Sequence, residues 1–333
     1  MYRKLILLPL LASLEVSATP FEVFSVPARQ DPLQLRILHR TPQQPSDLAP
    51  VLFLHGSSFP SELAAGFRME GQSWMDVMAR AGFDTYALDF LGYGRSDRYP
   101  EMETGGTVPL GRAVDVQADL DRAVDAVRHR SGASKVTLIA HSWGGSVAAL
   151  YAQRYPHKLA SLVLFAAITP RLGASTQTPG NVRIAYTEMT PEQRVESMNA
   201  LRPASKPPLL APDIFSTWGR QWLASDPLAS RLGNRKVRFP AGPEQDIADL
   251  QAGRSYYVPQ AIAVPTLLIR GEWDAWPSAA DNTWLYDALV AAPMKKSVTV
   301  PESTHVAHLE RKRFVLYDEV QRFLKALPAP VRS

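Results

Sequence analysis

A single serine, Ser142, stands between a run typical of a buried strand and a run typical of a helix. Residues 136–140 are apolar or β-branched, and residues 146–152 are mostly good helix formers. A strand that reverses into a helix over so few residues holds such a serine at the tip of a strained turn, the context of a nucleophilic serine. Ala140 and Gly144 are small enough for the two elements to cross. The alternative is a strand–turn–helix junction that merely contains serine.

A serine hydroxyl is a weak nucleophile until a base accepts its proton, and that base needs a third group to orient it. His305 lies between a buried strand and the last helix, so we expect it to be the base. Asp274 follows the preceding strand and is expected to orient the imidazole. Two neighbours are local alternatives: Glu272 for the acid, and His308, which we assign to packing inside the helix.

Acyl transfer also needs preorganised donors for the oxyanion that forms on the carbonyl oxygen. The backbone N–H of Trp143, directly after the serine, is one candidate. The second is expected from the turn that follows the strand 51–54, from the N–H of Ser57. Gly56 would let this backbone approach the substrate closely, and His55 is assigned a structural role.

The elements that must position these residues alternate between apolar strands and amphipathic helices. After the first strands, which turn residues and a Pro-rich connection separate, strands alternate with helices, so the order predicts an α/β protein with a mostly parallel central sheet flanked by helices. The expected strands are 21–26, 33–39, 51–54, 83–89, 136–140, 159–168, 264–270 and 297–300.

The alternation breaks between Arg171 and Gln260, a stretch with ten prolines and short helical pieces. A structureless loop of that length is implausible in a compact domain, so we predict that 171–260 forms a helical cap over a core made of 19–170 and 261–333. Its large apolar residues Phe215, Trp218 and Trp222 are expected to line an apolar substrate pocket beside Ser142. The alternative is that they attach the cap to the core.

Residues 1–18 have the pattern of a secretory signal peptide. Arg3 and Lys4 precede the apolar run Leu5–Leu14, and small residues follow at 16–18. The run is too short for a transmembrane helix, which needs about 20 apolar residues. We therefore expect a periplasmic or secreted protein with no stable membrane anchor after signal removal. The alternative is an apolar N-terminal strand of the mature fold.

Composition limits the remaining classes. The 333 residues include no cysteine, which excludes disulfides, thiolate metal sites and cysteine nucleophiles. A net charge of +4 is too small and scattered to indicate nucleic-acid binding. We expect a small-molecule substrate, no metal and no organic cofactor, and the sequence leaves the oligomeric state open.

Five segments, in this order along the chain, give it a resemblance to the α/β-hydrolase superfamily. They are His55-Gly56, Asp89–Ser96, Ala140–Gly145, Gly271–Asp274 and His305–Glu310. The resemblance implies an α/β-hydrolase fold in which 89–96 is a structural turn. It also favours His305 over His308 as the base, since the order Ser142, Asp274, His305 is the superfamily's order.

Within the superfamily, Ser142-Trp143 and Tyr151–Pro156 look like proline iminopeptidases, but the His-Gly-Gly-Pro-Gly turn of those enzymes is absent. We expect a serine hydrolase that cleaves carboxylic esters of small or medium substrates through an acyl-enzyme. Three alternatives stay open: an aminopeptidase, a C–C bond hydrolase or perhydrolase with the same three residues, and a ligand receptor with little turnover.

Overall fold

The structure is a computed structural model. It describes residues 19–44, 46–170, 180–208, 210–233 and 235–328. The expected signal peptide, residues 1–18, lies outside the described residues. No helix in the described part of the chain is long and apolar enough to cross a membrane.

A mostly parallel eight-stranded sheet forms the centre of the fold, as the sequence predicts. Its order is β1-β2-β4-β3-β5-β6-β9-β10, with β1, β2 and β4 paired antiparallel and all other pairs parallel. A separate antiparallel pair is formed by β7 and β8. The strands are β1 Glu22–Pro27, β2 Gln34–Arg40, β3 Val51–Leu54, β4 Thr85–Asp89, β5 Val136–His141, β6 Leu159–Phe165, β7 Tyr186–Met189, β8 Val237–Pro240, β9 Thr266–Gly271 and β10 Lys295–Val300.

Helices cover both faces of this sheet, which explains why strands such as β3 and β5 are buried along their whole length. Alternate residues of β3 enter two different apolar clusters: Leu52 joins α3 and α4, and Phe53 joins α1 and α10. The helices are α1 Trp74–Arg80, α2 Glu101–Thr104, α3 Gln117–Ser131, α4 Trp143–Arg154, α5 Pro191–Met198, α6 Pro212–Ala224, α7 Pro227–Leu232, α8 Gly242–Gln251, α9 Ala279–Ala288 and α10 Arg313–Lys325.

The segment expected to be a helical cap holds α5 to α8, and also the antiparallel pair of β7 and β8. The sequence analysis found no strand here because β7 is half-buried throughout and lacks an apolar alternation. The described part of 180–260 therefore holds four helices and also a small two-stranded sheet.

Two tryptophans of α6 attach this segment to the core. Trp218 donates its indole N–H to the carbonyl oxygen of Leu63 at 3.0 Å, and Trp222 donates to that of Ser58 at 3.2 Å. Both rings are fully buried and tilted against each other, with centroids 5.2 Å apart. Phe59 meets the edge of Trp218 at 5.3 Å. The contact combines apolar burial with satisfied polar groups.

Replacing Trp222 by alanine should lower the free energy of unfolding by about 3–5 kcal/mol, because it leaves a cavity and an unpaired carbonyl. Gln221→Ala on the same helix changes an exposed side chain and should stay within about 0.5 kcal/mol of wild type. Urea titration of both variants measures the difference. Equal stability of the two variants would mean that α6 does not hold the segment to the core.

Candidate active site

Ser142 occupies the turn between β5 and α4 with φ 57° and ψ −125°, a conformation that costs free energy for a residue with a side chain. Two backbone hydrogen bonds fix it: its N–H donates to Phe165 at 2.9 Å, and its carbonyl accepts from Gly145 at 2.9 Å. The predicted strained turn is present, and it directs Ser142 to the carboxyl edge of the sheet.

The crossing of β5 and α4 is possible only because small residues surround it. A Cβ atom on Gly144 would lie 2.2 Å from the carbonyl oxygen of His55, and one on Gly145 would lie 2.4 Å from the Cβ of Ala167. Ala140, where the usual pattern has glycine, is accommodated as a fully buried residue. The requirement at Gly144 follows from the sequence pattern, whereas the contact at Gly145 depends on the loop after β6.

Ser142, His305 and Asp274 form one hydrogen-bonded chain, as their positions in the sequence predict. His305 Nε2 lies 2.8 Å from Ser142 Oγ, and His305 Nδ1 lies 3.1 and 3.2 Å from the two carboxylate oxygens of Asp274. The carboxylate can only accept from Nδ1, so Nε2 is free to accept the serine proton. All three residues are buried.

Several contacts that the sequence analysis did not find hold this chain in place. Asp274 accepts a hydrogen bond from the N–H of Trp276 at 2.8 Å. His141 donates Nε2–H to the carbonyl oxygen of His305 at 2.9 Å. These partners fix the carboxylate and the imidazole in one relative orientation.

A buried carboxyl, Glu310, orders the loop in front of His305. Its Oε2 accepts from the N–H of Thr304 at 3.0 Å, and the hydroxyl of Thr304 also donates to it. Burial raises the pKa of Glu310 to about 7. The only signal in the sequence for this role was the position of Glu310 at the end of the segment that carries the family resemblance.

The two local alternatives, Glu272 and His308, are not part of the hydrogen-bonded chain of Ser142, His305 and Asp274. Neither ring nitrogen of His308 has a hydrogen-bond partner among the described residues, and burial lowers the pKa of His308 to about 3. The carboxylate of Glu272 accepts from the N–H of Glu302 at 2.8 Å and is exposed. The geometry thus favours His305 and Asp274, and His308 packs in the core as expected.

The expected oxyanion donors are near Ser142. The N–H of Trp143 belongs to the first residue of α4, where no intrahelical acceptor is within reach. Ser57 lines the same cavity as Ser142, and a Cβ on Gly56 would lie 3.1 Å from the Cβ of Ser142. Tyr93 donates its hydroxyl to the carbonyl of Ser57 at 2.8 Å, which fixes this turn.

Two further residues occupy structural positions around these turns. The indole N–H of Trp143 donates to Asp246 of α8 at 2.9 Å, so α8 is tied to the start of α4. His55 donates to the carbonyl of Gly56 at 2.7 Å and accepts from the N–H of Phe90 at 3.2 Å. These bonds connect the turn after β3 with the turn after β4 and agree with a structural role for His55.

A cavity of about 190 Å³ opens at Ser142. The core contributes Ser57, Ser142, Ile168, Asp274, Ala275, Trp276 and His305 to its lining, and helices α5 and α8 contribute Arg194, Ser197, Met198, Ile247 and Gln251. The segment 180–260 therefore covers Ser142 on one side, with residues that the sequence analysis did not single out.

The expectation that Phe215, Trp218 and Trp222 line this cavity is corrected. None of them is among its lining residues. Trp218 and Trp222 are buried against the core, and Phe215 lies on a separate groove of the surface with Leu210 and Pro212. A ring that packs between two parts of a protein and a ring that packs on a ligand give the same apolar pattern.

Nowhere among the described residues does a group of three or more histidines and carboxylates come together in an arrangement that could hold a metal ion. The chemistry available at Ser142 from the described residues is hydroxyl attack with proton transfer to an imidazole.

The acid sensitivity of the fold should depend on His308. Its pKa is about 3 in the folded state and 6.5 in an unfolded chain, so between these values only the unfolded chain gains a proton. Its contribution to stability is complete above pH 6.5 and is lost as the pH falls. His308→Leu should remove this loss. Between pH 7 and pH 5, the free energy of unfolding of the variant should therefore fall by roughly 2 kcal/mol less than that of wild type.

Chemical denaturation at several pH values measures this difference. His157→Leu, at an exposed position remote from the site, is the control and should keep the wild-type pH dependence. Parallel curves for wild type and His308→Leu would contradict a neutral buried imidazole.

The family assignment extends over most of the sequence. Residues 49–312 match the family described as alpha/beta hydrolase fold. This range includes the three hydrogen-bonded residues and the segment that covers them.

Solved structures agree at the level of the fold. A serine hydrolase involved in carbazole degradation superposes with a TM-score of 0.65 and 17% sequence identity, covering 92% of this chain and 99% of the other. A thermophilic esterase from Thermogutta terrifontis gives a TM-score of 0.56 and 18% identity, covering 92% and 98%.

Among curated proteins, a 1-acylglycerol-3-phosphate O-acyltransferase ABHD5 from Sus scrofa is 29% identical over 119 residues. The match takes in 36% of this chain and 30% of the relative, so it spans about a third of that protein's length. The family match, the superpositions and the parallel sheet lead to the same conclusion: the chain belongs to the alpha/beta hydrolase fold family.

Proposed function

We propose that the protein is a serine hydrolase that cleaves carboxylic esters of small or medium substrates. The observation that carries this proposal is the hydrogen-bonded chain from Ser142 Oγ through His305 to Asp274, placed at the floor of a cavity of about 190 Å³. A cavity below the usual 300–1,000 Å³ of ligand pockets suits a small ester.

Acylation begins when Ser142 Oγ attacks the ester carbonyl carbon and its proton passes to His305 Nε2. Asp274 stabilises the imidazolium that results. The negative charge on the carbonyl oxygen is met by the N–H groups of Trp143 and Ser57. When the tetrahedral intermediate collapses, the C–O bond to the alcohol breaks and His305 returns its proton to the departing oxygen.

Deacylation repeats these steps with water. His305 accepts a proton from the water molecule as its oxygen attacks the acyl carbon, and the same two N–H groups stabilise the oxyanion. Collapse breaks the bond to Ser142 Oγ, which takes back the proton. A carboxylic acid leaves, and each step uses only groups of this chain and water.

The charges of the cavity favour an ester over a peptide with a free amino terminus. An aminopeptidase needs a carboxylate to bind the substrate's ammonium group. Among the described lining residues the only carboxylate is Asp274, which is held by His305, and the other charged residue is Arg194. A cationic substrate would meet a guanidinium instead of an anion.

The domain division and the location belong to the same proposal. We take 19–170 and 261–333 as the core and 171–260 as a lid whose helices α5 and α8 form one wall of the cavity.

The N-terminal residues 1–18 would direct export to the periplasm or the medium. Mass spectrometry of protein exported by its native host should show their removal, and an intact Met1 start would contradict it.

Ser142→Ala and His305→Ala should each lower kcat for a p-nitrophenyl ester by about 10⁶-fold, and Asp274→Asn by about 10⁴-fold. Circular dichroism should show an unchanged fold, since each side chain faces the cavity. If a variant keeps the wild-type kcat, the substituted residue takes no part in the mechanism. If that variant is Asp274→Asn, Glu272 would be tested next as the acid.

Labelling separates the nucleophile from its neighbours. A fluorophosphonate should modify wild-type protein at Ser142 and leave Ser142→Ala unmodified. Ser146→Ala is the matched control, because Ser146 lies one turn along α4 and bonds the carbonyl oxygen of Trp143 at 2.7 Å. Loss of labelling in this control, with labelling retained in Ser142→Ala, would refute the assignment.

A further inference from the structure

Arg194, at the fourth position of α5, is a cation on the wall of the cavity that opens at Ser142. Its Nε is buried and has no hydrogen-bond partner in the described part of the chain. A buried guanidinium N–H without an acceptor costs free energy, so such groups are normally paired. The proposed hydrolysis of an ester makes no use of this side chain.

No carboxylate among the described residues forms an ion pair with Arg194. Glu244 attracts it only through space, and Asp274 is engaged with His305. Burial lowers the pKa of Arg194 to about 10, so it still carries its charge at neutral pH. The cavity wall therefore holds one positive charge that the described residues leave uncompensated.

We propose that Arg194 binds a carboxylate of the substrate, so that the preferred substrates are esters that also carry one free carboxylate. This inference rests on the proposed ester hydrolysis and names its substrate class. A guanidinium presents a planar fork of N–H donors that matches the two oxygens of a carboxylate.

The other residues of the cavity wall fit one short anionic substrate. Ser197 and Gln251 add polar groups from α5 and α8, while Met198 and Ile247 provide apolar surface. One guanidinium balances the single charge of a carboxylate, whereas a phosphate monoester carries about −1.5 to −2 at pH 7. The charge balance thus favours the carboxylate over the phosphate.

Matched pairs of esters test the inference. One pair is 4-acetoxybenzoate with its methyl ester, which places the carboxylate on the leaving group. The other is monophenyl adipate with its methyl ester, which places it on the acyl side. In wild type, the ratio of kcat/KM for the anion to kcat/KM for its neutral twin should exceed one for at least one pair. 4-Acetoxyphenyl phosphate should be a poorer substrate than the preferred anion.

Arg194→Met should lower that ratio by about 10- to 100-fold, the usual effect of losing a hydrogen bond to a charged group. Arg194→Lys keeps the charge without the fork and should give an intermediate ratio. Arg220→Met, an exposed arginine of α6, is the matched control and should leave the ratio at its wild-type value. Arg194→Met should also unfold at a temperature no lower than wild type, because it removes a buried Nε–H that has no acceptor among the described residues.

A ratio that is unchanged in Arg194→Met overturns the inference and leaves ester hydrolysis intact, and so does a wild-type preference for the neutral twins or the phosphate. Calorimetry on Ser142→Ala separates the two proposals. Binding of 4-acetoxybenzoate that Arg194→Met abolishes supports the anion site even if wild type hydrolyses no ester, in which case the proposed function fails alone. If the protein shows no binding of 4-acetoxybenzoate and no hydrolysis of any ester, both proposals are overturned.

Discussion

The backbone of Ser142 is the constraint on which the other parts of the site depend. Its positive φ costs of order 1–3 kcal/mol and persists only because the surrounding structure determines it. On one side β5 is buried along its whole length between β3 and β6. On the other, the carbonyl of Ser142 accepts from both Gly145 and Ile168, so the start of α4 and the loop after β6 fix the same peptide group.

The position of Ser142 also determines where the other residues of the site must lie. A helix that starts directly after Ser142 leaves the N–H of Trp143, its first residue, without an intrahelical acceptor. The loops after β9 and β10 end at the same edge, because parallel strands all run in one direction. Asp274 and His305 thus reach Ser142 from neighbouring strands, and each needs only a few bonds of its own to be oriented.

This is also why much of the site could be predicted from the sequence. The alternation of strands and helices, the turn at Ser142 and the positions of Asp274 and His305 depend on local patterns and on one topological rule. The roles of Trp218 and Trp222 could not be predicted in the same way. Trp222 donates to a carbonyl 164 positions away in the sequence. The sequence around an apolar ring does not indicate which residue the ring will contact.

Arg194 was missed for a related reason. A charged residue on a short amphipathic helix is usually solvated, and nothing in the pattern of 191–198 distinguishes it from its neighbours. Only the tertiary structure, which places α5 at the cavity, leaves its Nε buried and without an acceptor in the part of the chain that the structure describes.

The anchoring of α6 has a consequence for how such a protein can diversify. The two indole groups bind carbonyls of the same loop that begins at Ser57, the expected donor to the oxyanion. The segment 180–260 and that loop are therefore joined into one structural unit. A recombination that transplants a foreign insertion onto this core would leave the carbonyls of Ser58 and Leu63 without donors and would disturb the backbone next to Ser57. New specificities are then reached more readily by point substitutions at the cavity-lining residues of α5 and α8, which do not make the contacts of Trp218 and Trp222.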